Sequence, residues 1–151
     1  MRIALKYGLL ITLAIILWVV IAHALVPNPD SKIHSLGAML FFNLAEILGV
    51  YFGIKAMRSA GGSEIEFKKG VKTGVAIAFV YAISSCLFFL IELLILGPKI
   101  LAGEAGTQTK PMRQVALGAF AGLFIFAILL GVIYSTLISF LLTLRAKRQG
   151  V

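Results

Sequence analysis

Two of the six acidic side chains in this 151-residue chain, Glu46 and Glu92, fall inside long apolar runs. A carboxyl in that setting can hold a proton, pass one on or balance a cation. Placing it there costs roughly 2.5–3.5 kcal/mol on insertion scales, which makes it a functional candidate by default. Glu46 sits near the centre of the run Leu36–Ala56. About ten strongly apolar neighbours, at roughly −0.3 to −0.6 kcal/mol each, still let that run insert into a bilayer. On a helix Glu46 lies within about 60° of Asn43, Gly49 and Gly53, the side that should face protein. Burial disfavours the charged form, so Glu46 is expected to be neutral at pH 7. Depth counting sets Ser84, Ser85 and Cys86 of the third run at its level, and a serine hydroxyl there is expected to meet the carboxyl. Glu92 lies some ~10 Å nearer the outer surface. It shares a face with Gly74, Ala78, Tyr81 and Ser85, and His23 is at similar depth. A Glu92–His23 contact would have to cross the diagonal of a simple four-helix bundle, and His23 alone reads as an interface residue.

Other chemistries lack their residues. The single cysteine, Cys86, excludes an internal disulfide and a multi-cysteine metal site. No two histidines share a helix face, no serine stands in a glycine elbow, and no glycine-rich loop could cradle phosphate. His23 and His34, on separate segments, form a poor haem pair. The expectation is no metal, no cofactor and no enzymatic activity.

The elements that must position the acids are four apolar runs, roughly 5–26, 36–56, 73–96 and 115–144. Each reaches the ~20 residues that an α-helix needs to cross ~30 Å of hydrocarbon. Hydrophobic residues make up 60% of the chain and charged residues 13%, with a mean hydropathy of +1.03. Residues 1–151 therefore read as one all-α transmembrane domain, four helices in an up-down bundle, without room for a water-soluble catalytic unit. Arg2 and Lys6 ahead of the first run, with Ala22-His23-Ala24 behind it, imitate a cleavable signal. The apolar run is longer than a signal core, and Trp18 suits an interface anchor, so retention is expected.

Charge sets the orientation. Ten of the fourteen basic residues lie before the first run, between the second and third, or after the fourth. The positive-inside rule then puts both termini and the 55–72 loop in the cytoplasm, with Lys55, Arg58, Lys68, Lys69 and Lys72 facing anionic headgroups. Only Phe67 is interleaved with these charges, too little for a nucleic-acid surface.

Local chemistry bounds the runs. Pro27 and Pro29 should end the first helix, with Asp30 or Ser31 capping the next. Ser63 to Glu66 fits a capping box, and helix three should start there with Ile65, Phe67 and Val71 lying at the headgroups. Gly97-Pro98 should stop it, and Thr109-Lys110-Pro111 should open helix four. Lys99–Gln108 reads as a connector.

Small residues four apart mark where helices approach closely in lipid. These are Gly70, Gly74, Ala78, Ala82 and Cys86 on helix three, and Ala45, Gly49 and Gly53 on helix two. Helix four carries Gly118 with Gly122, and Ala127, Gly131, Ser135 and Ser139. They exceed what one bundle needs, which favours a homo-oligomer or a place in a larger membrane complex.

Three segments carry a resemblance: the basic start Arg2-Ile3-Ala4-Leu5-Lys6-Tyr7-Gly8, the end of span two at Gly49-Val50-Tyr51-Phe52-Gly53-Ile54, and Gly62-Ser63-Glu64-Ile65-Glu66-Phe67-Lys68-Lys69-Gly70-Val71-Lys72-Thr73-Gly74 in the loop. With these the chain resembles a bacterial family of four-span membrane proteins classed as domain of unknown function 4199. The resemblance implies a multi-pass protein of the bacterial inner membrane, and the family has no assigned activity to carry over. The leading expectation is an accessory, assembly or scaffold subunit of a membrane complex. The alternative is a small proton- or cation-coupled transporter or channel using Glu46 and Glu92.

Overall fold

A computed structural model of the chain describes residues 1–25, 32–61, 66–97 and 111–148. They form four helices: α1 (Arg2–Leu25), α2 (Lys32–Gly61), α3 (Phe67–Leu96) and α4 (Met112–Arg148). Each contains a stretch long and apolar enough to cross a membrane: Arg2–Ala22, Leu36–Ala60, Phe67–Ile95 and Arg113–Ala146. Helix is the form such sequences must take in lipid, where every backbone N–H and C=O has to be satisfied within its own segment. At 1.5 Å per residue α4 is ~55 Å long, well over the hydrocarbon thickness, so its ends project beyond it.

The ends follow local chemistry where they are described. Gly97 adopts φ +71°, in the left-handed region that only glycine enters cheaply, and stops α3. Pro111 accepts hydrogen bonds from the Gln114 and Val115 amides at the start of α4. One boundary differs from expectation. The capping box places Glu66 in the first turn of helix three, but it is the N-cap, with extended backbone (φ −69°, ψ 121°) and no side-chain capping bond. Its carboxylate instead accepts from Lys69 Nζ at 3.0 Å in an exposed pair, so the capping box is not formed as read. Ser63, Pro27, Pro29, Asp30, Ser31, Pro98 and the 99–108 connector lie outside the described residues.

Packing registers follow from the close contacts. On α1 and α2, Ile11 lies against Gly49 and Tyr7 against Gly53, so the two run antiparallel. On α3 and α4, Gly70 faces Ser139, Gly74 faces Ser135 and Ala78 faces Gly131, again antiparallel. Gly8 lies against Ile77 and Val80, while Thr12 shares a hydrogen bond with Ser84, so α1 and α3 run parallel. Val50 meets Gly74 and Ile54 meets Gly70, which joins α2 to α3. Helices α2 and α3 thus form a central pair. Helix α1 packs on both of them from one side and α4 packs on both from the other. The expectation that helices one and three sit on a diagonal is therefore corrected: they are neighbours, because Gly8 lets α1 approach the backbone of α3.

The surface is apolar where that of a water-soluble protein would be polar, and polar side chains share the interior with an apolar core. Leucines and phenylalanines point outward, Leu40 at 72% and Leu94 at 76% exposure, while Thr12, Glu46, Ser85, Ser135 and Ser139 are buried. Val50, Ile54 and Ile77 fill the core where α2 and α3 cross. In lipid the interior gains from close backbone approach and from hydrogen bonds, which is why serine and glycine hold the seam. The Thr12–Ser84 bond joins α1 to α3. A double-mutant cycle with Thr12→Val and Ser84→Ala, read by unfolding in mixed detergent, is expected to give a coupling of about 0.6 kcal/mol and no more than about 1.7.

Candidate functional site

The polar residues singled out along the sequence converge. Asn43 and Glu46 from α2 and Ser85 and Glu92 from α3 line one cavity of about 580 Å³. Ile15 and Val19 of α1 and Leu123, Phe126, Ala127 and Leu130 of α4 close its sides. On α2 the lining residues Met39, Phe42, Asn43 and Glu46 recur at three- and four-residue intervals. On α3 so do Tyr81, Ser85, Phe88, Phe89 and Glu92, and each set forms one helical face. His23 belongs to α1, and its side chain lies outside what is described. Its contact with Glu92 therefore stays an expectation.

Glu46 forms the floor. It is 2% exposed, and its Oε1 has no hydrogen-bond partner. A Cβ placed on Gly131 would stand 3.1 Å from that oxygen, so only glycine on α4 makes room for the carboxyl. The same Cβ would meet Ala78, which puts the Glu46 carboxyl at the level of Ala78. The depth expectation is thereby corrected. Ser84 to Cys86 lie ~9–12 Å further along α3, and Glu92 lies ~21 Å from that level. The cause is the crossing register: Val50 and Ile54 pack on Gly74 and Gly70, drawing α2 toward the start of α3. The serine contact is absent too. Ser84 bonds Thr12 and the carbonyls of Val80 and Tyr81, and Ser85 makes no hydrogen bond to the carboxyl.

The cavity is one-sided. Next to Glu46, on the way to the chain ends, the Gly74–Ser135 and Gly70–Ser139 contacts and the buried Val50 and Ile54 close the bundle. In the other direction the cavity is open, and Met39 (63%) of α2 and Phe126 (67%) of α4 on its wall are strongly exposed. The opening therefore faces sideways as well as away from the basic end.

Two tyrosines join the site that sequence reasoning had not assigned to Glu46. Tyr81 is buried on the cavity wall. Tyr134 of α4 donates to Asn43 Oδ1, while Asn43 Nδ2 donates to the Met39 carbonyl at 2.7 Å. Tyr81 was visible beforehand, since it shares a face with Glu92 and Ser85. Tyr134 carried no signal, because its role depends on α4 lying beside α2. Among the described residues no lysine or arginine lines the cavity. Among the described residues no three His, Cys, Asp or Glu side chains converge.

The basic residues are elsewhere. Lys68 and Lys72 line a surface groove with Phe67, Val71, Val75 and Thr136. Lys55, Lys68, Lys69 and Lys72 are exposed, and Arg58 is half-buried. Of the expected packing residues, Gly49, Gly53, Gly70, Gly74, Ala78, Gly131 and Ser135 make the contacts described, and Ala82 is fully buried. Gly118 and Gly122 do not pack as expected: a Cβ there would meet nothing within 4 Å, because that end of α4 turns these residues outward.

Fold and site together define a multi-pass integral membrane protein with a carboxyl at the floor of an interhelical cavity. No family model, no curated protein and no solved structure matches the chain. The resemblance to the four-span family rests on the residues quoted for it.

Proposed function

We propose that this chain is a small proton- or cation-coupled transporter, without catalytic activity, whose coupling group is Glu46. The observation that carries the reading is the placement of that buried carboxyl, its Oε1 without a partner, on the cavity floor, with Glu92 on the wall of the same cavity. A carboxyl that merely packed would find a hydrogen-bond partner, since leaving a buried polar atom unmet costs about 1–3 kcal/mol. In this reading the chain is an up-down bundle in the bacterial inner membrane and a member of the family it resembles. Its basic end with both termini is cytoplasmic, its exposed lysines meet anionic lipid, and the cavity opens toward the outer leaflet. The tight seam of α3 and α4 is the closed gate, and transport needs it to part.

The test is reconstitution into vesicles carrying a pH gradient. Wild-type protein is expected to dissipate the gradient, and Glu46→Gln to return the rate to that of empty vesicles. Equal rates for the two would overturn the reading.

A second reading, the accessory or scaffold subunit, is favoured by one observation. Gly118 and Gly122 form a small-residue face with nothing against it, as a helix from a second copy or another subunit would require. Gly118→Leu with Gly122→Leu is expected to leave the fold intact and to abolish cross-linked oligomers or co-purifying partners in mild detergent. Unchanged association would remove this reading.

A further inference from the structure

We infer that the cavity above Glu46 binds a lipophilic organic cation, an amine or onium centre carried on an apolar, ring-bearing body. This deepens the transport reading, and it rests on that reading for the ligand's passage though not for its binding.

Volume comes first. At about 580 Å³ the cavity lies within the range of sites that enclose a small organic molecule, roughly 300–1,000 Å³. Its walls are almost entirely side-chain hydrocarbon and rings, with the polar groups confined to Asn43, Glu46, Tyr81, Ser85 and Glu92. A ligand that fills it must therefore be largely apolar.

Charge comes second. Among the described residues the cavity is lined by the acids Glu46 and Glu92 and by no lysine or arginine, so the group at its floor can become negative but not positive. The Glu46 carboxyl, 2% exposed and with an unpartnered oxygen, is a counter-charge waiting at the floor. The rings of Phe42, Phe88, Phe89 and Phe126 surround the space above it. Ring faces attract cations, at about 2 kcal/mol or more where water is excluded. A bare metal cation fits badly, because hard ions demand six or more oxygen ligands. Here Asn43 Oδ1 is already occupied by Tyr134.

Route comes third. Met39 of α2 and Phe126 of α4 stand on the cavity wall and are strongly exposed, so the wall is open between these helices. A ligand dissolved in the bilayer reaches the cavity between α2 and α4 without crossing water.

Binding must conserve charge. As the cation enters, Glu46 releases its carboxyl proton to bulk water, so one positive charge replaces another. Among the described residues the titratable groups beside Glu46 are Tyr81 on α3 and Tyr134 on α4, and Glu92 stands further along the same cavity wall. Helix α1 contributes only Ile15 and Val19 to the lining.

The experiment uses the full chain in a neutral maltoside detergent and two probes of one shape and opposite charge, radiolabelled tetraphenylphosphonium and tetraphenylborate, in equilibrium dialysis. Tetraphenylphosphonium is expected to bind saturably with release of one proton, and tetraphenylborate not to bind. Glu46→Gln should weaken the cation by at least about tenfold and abolish proton release. Equal binding of the two probes, or no saturable binding of either, overturns the inference, and this comparison needs no variant. Glu46-dependent proton flux in vesicles without tetraphenylphosphonium binding would overturn the ligand class and leave the transport reading standing. Glu46-dependent binding without any flux would support the ligand class and overturn the transport reading.

Discussion

Gly131→Ala is expected to cost the folded bundle about 3 kcal/mol or more, although it adds a single methyl group. The added Cβ would clash with the Cβ of Ala78. That atom is fixed to the backbone and has no rotamer to turn away, so α3 and α4 would have to move apart at their seam. Overpacking a well-filled site usually costs about 1–3 kcal/mol, and a clash with so rigid an atom belongs at the top of that range or beyond it. Gly74→Ala should behave similarly, since its Cβ would fall on Ser135 with Val50 close behind. The same change at Gly118 or Gly122, where nothing lies in reach, should move stability by less than about 0.5 kcal/mol. Unfolding in a detergent series, followed by helix content, measures all four. Equal losses at Gly131 and Gly122 would contradict the packing described here.

The second large effect has opposite signs for stability and function. Glu46→Leu is expected to stabilise the bundle by about 1–3 kcal/mol, because it removes a buried oxygen that has no partner. It should at the same time abolish coupled flux. Such an opposition marks a group kept for its chemistry at the expense of stability. If Glu46→Leu instead unfolds the protein, the carboxyl is structural. Thermal aggregation in detergent together with vesicle flux, measured on one preparation, separates these outcomes.

Much of the architecture was legible in the sequence because lipid leaves the chain few choices. Runs placed at roughly 5–26, 36–56, 73–96 and 115–144 correspond to four helices that extend beyond them at most ends. The extensions occur where polar residues such as Lys32, Arg58 and Arg148 continue the helix past the apolar stretch. The glycine spacing on helices two and three identified real contacts, since close approach needs small side chains at helical repeat. Spacing alone could not tell which seam meets which helix. Gly118-xxx-Gly122 has the same pattern as Gly70-xxx-Gly74, yet one is open and the other closed.

The site was half legible. Glu46, Asn43, Ser85 and Glu92 could be singled out because polar groups in hydrocarbon stand out. That they line one cavity depends on two helix faces meeting, which no periodicity within a single helix encodes. Depth counting failed by about two turns because it assumed that each helix crosses at its midpoint. The real register is set by Val50 and Ile54 seated on Gly74 and Gly70.

The account stands on a carboxyl reached from one side only, and thiol accessibility in intact cells tests that most directly. In a Cys86→Ser background, Asn43→Cys lies on the cavity wall, and Val50→Cys lies in the closed seam at 0% exposure. A small membrane-impermeant cationic thiol reagent added outside is expected to label position 43 and to leave position 50 untouched. Labelling of position 50 from outside, or of position 43 only after the cytoplasmic face is opened, would contradict it.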